Sequence, residues 1–453
     1  MTTQSHDVRG MRCSVLGAAR SGIAVAKLLR EKGAAVFVSD QRPLDQLDEE
    51  ALSLRSLGIE LEGGGHSDRV LDCSLLVLSP GVPGDIPFVQ EAGRRGIRVL
   101  SELEVASWFC RSPIVAVTGS NGKTTTTTLI GRILGDAKKK HVVAGNIGTA
   151  FSAVVLDMAE EDIVVLEVSS FQLDHCETFR PKVSVILNVT EDHMDRYRHS
   201  MELYAASKAR IFMNQSGDDT FVYCADDPWT IRIAAQAACR RLPFSTDTIL
   251  QEGAWMEHGI LMLGDQNGPK QVIPLEQMTI RGIHNARNAM AAVLVGSLFD
   301  VSIASMRATL RNFKGVEHRL EFVREHNGIR YYNDSKATNV DAVRYAIQAF
   351  SDPIILILGG RDKGNDYTLI QDLVRKHVKS ILAIGESAQK VETAFHGIVP
   401  VHRASSMEGA VRLAAQEGRA GDVVLLSPAC ASFDWFKNYE HRGKVFKDLV
   451  NHL

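Results

Sequence analysis

Residues 114–134, IVAVTGSNGKTTTTTLIGRIL, restrict this chain more than any other stretch. Small apolar β-formers lead into a glycine turn, a lysine and five consecutive threonines that open a helical segment. Strand, tight turn and helix in that order make an α/β unit, whose turn and helix N-terminus present N–H groups to anionic oxygens. The longer phosphate-loop spacing G-x-x-x-x-G-K-[ST] fails, because Val117 stands where its first glycine belongs. In the shorter loop, Lys123 can reach β- and γ-phosphates and the Thr124 hydroxyl can ligate Mg²⁺. A glycine turn without a ligand is the alternative, and Gly-Lys-Thr directly after an apolar strand argues against it.

The same α/β rhythm runs through all 453 residues, a length that predicts about three domains. Residues 1–102 open with RCSVLGAARSGIAVAKLLREKGAAVFVSD, a β-α-β unit whose second strand ends on Asp40. Its glycines read G-x-A-x-x-G, with Ala19 in the middle position, which weakens a dinucleotide site. A ligand-free Rossmann-like fold and a mononucleotide or sugar-nucleotide site both remain open there. Residues 103–315 hold the phosphate loop and two nearly continuous apolar runs, DIVVLEVSS and VSVILNV, of the kind buried in parallel sheets. Shorter, glycine-rich segments between about 245 and 280 predict an antiparallel insertion. Residues 316–453 repeat the α/β pattern in IILILGG, SILAIGES and DVVLLSP. The expected fold is therefore α/β: a Rossmann-like N-terminal domain, a central P-loop-type ATPase domain with a mostly parallel sheet, and a Rossmann-like C-terminal domain.

Composition narrows the partners. A net charge of −3 gives no general pull toward nucleic acid or anionic membrane. Seven scattered cysteines without C-x-x-C spacing predict reduced thiols and a cytoplasmic protein. The N-terminus has no apolar signal core, and no run reaches the ~18 apolar residues of a membrane span.

Chemistry gathers at the strand ends. Glu167 closes an apolar strand, where a carboxylate needs a cation, a metal or a hydrogen-bond partner. NVTEDHMDRY follows the next strand and packs Glu191, Asp192, His193 and Asp195 into five positions; alone this reads as a solvated loop, but beside a phosphate loop it offers ligands for a hard cation and a base. YAASKARIF places Lys208 on a helix beside Tyr204, Ile211 and Phe212, and in isolation this pattern predicts a snorkelling lysine. In the third domain, YYNDSKATNVDA, GGRDKG and SPACASFDWFKNYEHRG each put cationic or hydroxyl side chains after a strand, a set suited to a small dianion.

TGSNGKTTTT, GNIG, LEVSSFQLD, LNVTEDHMDRY, SKARIF, HNARNA, EHR, NDSKATN and LLSPACASFDWFKNYEHRG together resemble the muramyl ligase family, in order and across all three domains. NDSKATN and SPACASFD resemble the members that add D-glutamate. The resemblance implies an ATP-dependent amide ligase of peptidoglycan precursor synthesis, with UDP-N-acetylmuramoyl-L-alanine, D-glutamate and ATP as substrates. It also implies two Mg²⁺ ions (Mn²⁺ being an alternative) and a cytoplasmic monomer. Gly119, Ser120, Asn121, Gly122, Lys123, Thr124 and Thr125 then hold the phosphates, with Glu167 as a further metal ligand. His193 binds the second ion and the UDP-sugar. Lys208 matches the lysine that the family carbamylates into a metal ligand. Asn285 and Asn288 would contact adenine, while Arg319 and Asp334 would serve the γ-phosphate and ribose. Ser21, Asp40, Arg42, Gly81 and Asn146 would grip the UDP-sugar; Thr338, Lys363, Ser432, Phe433 and Tyr439 would form the D-glutamate pocket. Arg20-Ser21 stands where an apolar residue and a threonine are expected.

The implied chemistry gives the phosphate a purpose. Phosphorylating a carboxylate creates an acyl phosphate, from which an amine can displace phosphate. Lys123 and Arg319 would neutralise the developing charge, and Asp192 or His193 would accept the amine proton. A P-loop kinase would share Lys123 and Thr124 but has no use for Lys208 as a metal ligand. A nucleotide switch would not release ADP in step with an amino acid. Folylpolyglutamate synthase shares the central domain and chemistry, yet lacks the LGAARSGIA unit.

Overall fold

The computed structural model describes residues 6–362 and 364–453, so Lys363 lies outside the described residues. Its strands form three sheets in succession along the chain. The first contains β1 (Arg12–Leu16), β2 (Ala35–Asp40), β3 (Glu60–Gly63), β4 (Leu75–Leu78) and β5 (Arg98–Ser101). All its pairings are parallel, in the order β3-β2-β1-β4-β5. The crossover helix Arg20–Glu31 buries Ile23, Val25, Ala26 and Leu29 in this domain's core. That order reverses direction beside β1, so the carboxyl ends of β1 and β4 flank the crevice where open α/β sheets bind ligands.

The second sheet is built from β6 (Ile114–Thr118), β7 (His141–Gly145), β8 (Ile163–Glu167), β9 (Val183–Ile186), β10 (Thr220–Cys224), β11 (Arg240–Ser245), β12 (Gly253–Glu257), β13 (Ile260–Asp265) and β14 (Gly268–Pro274). Its order is β14-β13-β12-β11-β10-β9-β6-β8-β7. β6, β8 and β9 are buried along their whole length, which is why their sequences read as unbroken apolar runs. Pairing is parallel from β7 to β12, and β12–β14 turn antiparallel within the glycine-rich insertion.

The third sheet runs β15-β16-β20-β17-β18-β19, where β15 is Glu321–His326, β16 Ile329–Asn333, β17 Ile354–Gly359, β18 Val378–Ile384, β19 Val401–Arg403 and β20 Val423–Leu426. Within this sheet, only the β15–β16 pair is antiparallel among the described strand pairings.

The first two sheets belong to one compact unit, Met1–Val189 with His193–Pro274 and Arg287–Leu310; the third belongs to a second, Thr190–Asp192, Leu275–Ala286 and Arg311–Leu453. Inside the first unit, the fully buried Glu104 accepts from the N–H groups of Glu177 (3.1 Å), Thr178 (2.9 Å) and Phe179 (2.9 Å) and from Trp108 Nε1 (2.9 Å). One carboxylate after β5 thus satisfies a loop before β9, fixing the two sheets' domains together. All seven cysteines are free thiols. Among the described residues, no helix is long and apolar enough to cross a membrane.

Candidate active site

After β6, residues 119–122 turn sharply into the helix Lys123–Asp136. Gly119 (φ +152°) and Gly122 (φ +84°) hold conformations that L-side chains rarely adopt. A Cβ on Gly122 would stand 2.3 Å from Asn288 Oδ1, so the expected adenine contact already lies against the loop. Asn188 braces the turn from β9's end: its Oδ1 accepts from Asn121 N–H (2.8 Å), its Nδ2 donates to Asn121 O (3.1 Å), and its carbonyl accepts from Ser120 N–H (3.0 Å). Lys123 Nζ donates to the carbonyls of Gly119 and Ser120, both at 2.8 Å. Thr125 is buried in the helix's first turn. The helix starts from its N-cap Gly122 with its positive dipole end at the loop, which favours a phosphate there.

Glu167 at the end of β8 is buried, and its partners are neutral: Thr124 Oγ1 donates to Oε2 (2.7 Å) and Asn146 Nδ2 to Oε1 (2.9 Å). Asn146 is fixed in turn because its N–H donates to Glu167 O at 2.9 Å. The preceding Gly145 has φ +106°, and a Cβ there would fall 2.4 Å from Glu167 O. Gly145→Ala should therefore push β7 off β8 and separate Asn146 from Glu167. We expect a loss of about 1–3 kcal/mol in stability and a raised KM for the sugar nucleotide that Asn146 is expected to contact; unchanged urea denaturation and KM would refute that steric account.

Lys208 departs from the snorkelling expectation. It is only 1% exposed on the helix Met201–Ala209, with Nζ donating to Gly119 O (3.0 Å) and lying 4.3 Å from the Tyr204 ring centre. The Tyr204 hydroxyl accepts from Ser120 Oγ at 3.2 Å, so lysine and tyrosine both reach the phosphate loop. Burial costs an ammonium several kcal/mol, and a carbonyl and an aromatic face offset part of that.

A cavity of ≈ 660 Å³ opens in the first unit, lined by Ser21, Asp40, Arg42, Gly81 and Asn146, five of the six expected UDP-sugar contacts, together with Arg20 and His66. Gly22 is obligatory beneath it, since a Cβ would lie 1.8 Å from Gly17 O. Asp40 Oδ2 accepts from Ala18 N–H (2.7 Å) and Oδ1 from Arg42 N–H (2.8 Å) and Nε (3.0 Å). Partial burial opposes ionisation, yet these donors hold the Asp40 carboxyl below its ordinary range. Arg20 donates to Asn146 O at 3.4 Å, linking this cavity to the loop after β7. His193 does not line the cavity. It has φ +54° and packs edge-on against Phe171, 4.9 Å between ring centres. Phe171 lines a smaller cavity of ≈ 240 Å³ with Asp174, His175, Arg196 and Tyr197. Asp192, next to His193 in the chain, is half-buried in the loop between β9 and the Lys208 helix.

Asn285 lies in the first turn of the helix Ile283–Leu298 that also carries Asn288, and its Nδ2 donates to Arg281 O at 2.8 Å.

In the second unit, Asp334 is buried after β16, accepting from Leu320 N–H (3.2 Å) and Ser427 Oγ (2.9 Å). Burial lifts its pKa to about 6, with nearby Arg319 opposing the rise. Arg319 follows His318 (φ +64°), and its Nε is a buried donor with no partner among the described residues, the kind of group an anionic oxygen would satisfy. Thr338 is half-buried before the Asn339-capped helix Val340–Gln348, Ser432 is buried, and Phe433 is 61% exposed. Tyr439 lies below Lys336 Nζ, 5.3 Å from the ring centre. Arg442, inside EHRG, is a residue to which the family resemblance gives no role. It is 1% exposed and donates to Ser335 Oγ (2.9 Å), Ser335 O (2.7 Å), Cys430 O (3.0 Å) and Ala431 O (3.3 Å), tying the NDSKATN and SPACAS loops together.

Comparison with known proteins fits each region. Residues 12–87 match the MurD N-terminal domain, 117–296 the Mur ligase middle domain, and 318–430 the Mur ligase glutamate ligase domain. A relative from Salinibacter ruber is 47% identical over 99% of both chains. The chain belongs to the Mur ligase family. That Salinibacter Mur ligase and a Chloroherpeton thalassium one, 44% identical over 99% of both chains, each carry the name UDP-N-acetylmuramoylalanine–D-glutamate ligase. Solved structures show the same fold at greater distance. A pseudomurein peptide ligase type C from Methanothermus fervidus aligns with TM-score 0.63 at 17% identity, covering 98% of this chain and 100% of its own. UDP-N-acetylmuramate–alanine ligase from Thermotoga maritima aligns with TM-score 0.60 at 18% identity, over 98% and 99%.

Proposed function

We infer that this Mur ligase uses ATP to join D-glutamate to UDP-N-acetylmuramoyl-L-alanine in peptidoglycan precursor synthesis. Full-length kinship with ligases named for that reaction supports it. The observation that carries the chemistry is the pairing of Thr124 with Glu167 on a phosphate loop that also accepts Lys208. Residues 1–102 take the UDP-sugar, 103–315 the ATP, and 316–453 the amino acid.

The Thr124 hydroxyl and Glu167 carboxylate are adjacent hard oxygen donors and fit Mg²⁺ or Mn²⁺. His193 and a carbamylated Lys208 would hold a second ion; such ions, when bound, neutralise phosphoryl charge. Lys123 gives up its loop carbonyls for the β- and γ-phosphates, and the buried Arg319 Nε supplies a further donor. Asn285 and Asn288 contact adenine and Asp334 the ribose. The alanyl carboxylate, held by a sugar nucleotide seated on Ser21, Asp40, Arg42, Gly81 and Asn146, attacks the γ-phosphorus and ADP leaves. D-Glutamate, bound by Thr338, Lys363, Ser432, Phe433 and Tyr439, attacks the acyl phosphate through its amine. Asp192 takes the proton, since His193 would spend its lone pair on the metal, and phosphate departs. The enzyme works as a cytoplasmic monomer, and its charge of −3 offers nucleic acid and membrane no general attraction.

ADP release with UDP-N-acetylmuramoyl-L-alanine across a panel of D- and L-amino acids tests the substrate assignment. D-Glutamate alone should drive turnover; equal rates with L-alanine or a diamino acid would overturn it.

A further inference from the structure

Three side chains behind the 660 Å³ cavity form a hydrogen-bonded chain that motif comparison does not single out. Ser39 Oγ, completely buried, lies 2.8 Å from Glu62 Oε1 and 2.7 Å from His66 Nδ1. Glu62 also accepts from Ser67 N–H and Ser67 Oγ. Partial burial works against its ionisation, yet these donors, Ser39 and nearby Arg69 bring its pKa below the ordinary glutamate value. A carboxylate and a carbonyl only accept, so the single Ser39 hydroxyl proton goes to Glu62 Oε1 at 2.8 Å or to the more distant Gly65 O at 3.3 Å, and in neither case to His66. Ser39 oxygen must then accept from His66, which places the imidazole proton on Nδ1. Burial also lowers the His66 pKa against the pull of Asp40 and Glu62, which favours the neutral ring. Phe88, edge-on at 5.7 Å, fixes the ring plane and lines the same cavity.

We propose that His66 is a specificity-determining residue of the nucleotide site: the Ser39–Glu62 pair locks its tautomer, so Nε2 presents a hydrogen-bond acceptor to a donor on the uridine moiety. That donor is either the imide N3–H of the base or the ribose 2′-hydroxyl. Cytosine carries a lone pair at N3, so the first source selects uracil against cytosine; the second selects ribose against deoxyribose. The inference rests on the cavity being the UDP-sugar site.

Calorimetry on the full chain separates the two levels. Wild-type protein should bind UDP-N-acetylmuramoyl-L-alanine; if it does not, the sugar-nucleotide assignment fails before His66 is tested. With binding established, UDP should bind about tenfold more tightly than CDP if the imide is the donor, or than 2′-deoxy-UDP if the ribose is. His66→Phe should erase that preference and His66→Gln, which keeps an acceptor, should restore part of it. Nitrogen NMR of the wild-type imidazole gives a readout independent of any variant: the proton on Nδ1 in free protein, and an Nε2 signal that moves on adding UDP. A preference retained in His66→Phe, an equal loss for all three nucleotides, or a proton found on Nε2 would overturn the proposal.

Discussion

Lys123→Ala is expected to lower kcat for ADP release by about 10³-fold, equivalent to about 4 kcal/mol of transition-state stabilisation. Its ammonium already sits within the turn, donating at 2.8 Å to Gly119 O and Ser120 O. Those are the weaker of the acceptors available to it, and γ-phosphate oxygens bearing the transferring charge would compete for the same protons. Loss of the amine removes a cation from where negative charge grows, while the cavity lined by Ser21, Asp40 and Arg42 remains intact. The affinity for UDP-N-acetylmuramoyl-L-alanine without ATP should therefore change little. A kcat within tenfold of wild type would show that Lys123 only braces the loop.

Arg442→Met should produce the largest loss of stability, about 3–5 kcal/mol in urea unfolding. Burial lowers the guanidinium pKa to about 10, so it remains a cation at neutral pH. Its charge is compensated by the four hydrogen bonds to Ser335, Cys430 and Ala431. Methionine fills much of the volume but strands the buried carbonyls of Ser335 and Cys430, each carrying a desolvation penalty of about 1–3 kcal/mol, while Ala431 O keeps the Arg361 N–H at 2.9 Å. Lysine keeps charge without the planar fork and should fall between the two. Since the guanidinium spans the NDSKATN and SPACAS loops, the KM for D-glutamate should rise more than that for the UDP-sugar. A methionine variant within 1 kcal/mol of wild type would show that these carbonyls find other partners.

Much of this architecture is visible in local patterns. β6, β8 and β9 are recognisable because strands covered on both faces need apolar residues at every position. The antiparallel β12–β14 insertion betrays itself by its glycines, although its strands of 5, 6 and 7 residues are no shorter than β6, β8 and β9. The phosphate loop is legible because its glycines meet a conformational demand at Gly119 and Gly122. Contacts between segments distant in the chain are not legible in this way. Lys208 has the helical spacing of a snorkelling lysine; its burial follows from a phosphate loop 89 residues earlier in the chain. Asn188 reads as the tail of a strand until it is seen holding Asn121. Arg442 and Ser335 are 107 residues apart, and the arginine resembles any charged residue on a surface helix. Ser39, Glu62 and His66 come from β2, β3 and the turn beyond, and only the parallel register of those strands brings them together.

Isotope transfer tests the central chemistry most directly. UDP-N-acetylmuramoyl-L-alanine carrying ¹⁸O in its alanyl carboxylate would be turned over with ATP and D-glutamate, and the released phosphate analysed by mass. An acyl phosphate requires one labelled oxygen to pass into each inorganic phosphate. Phosphate carrying no label would contradict activation of the acid by ATP.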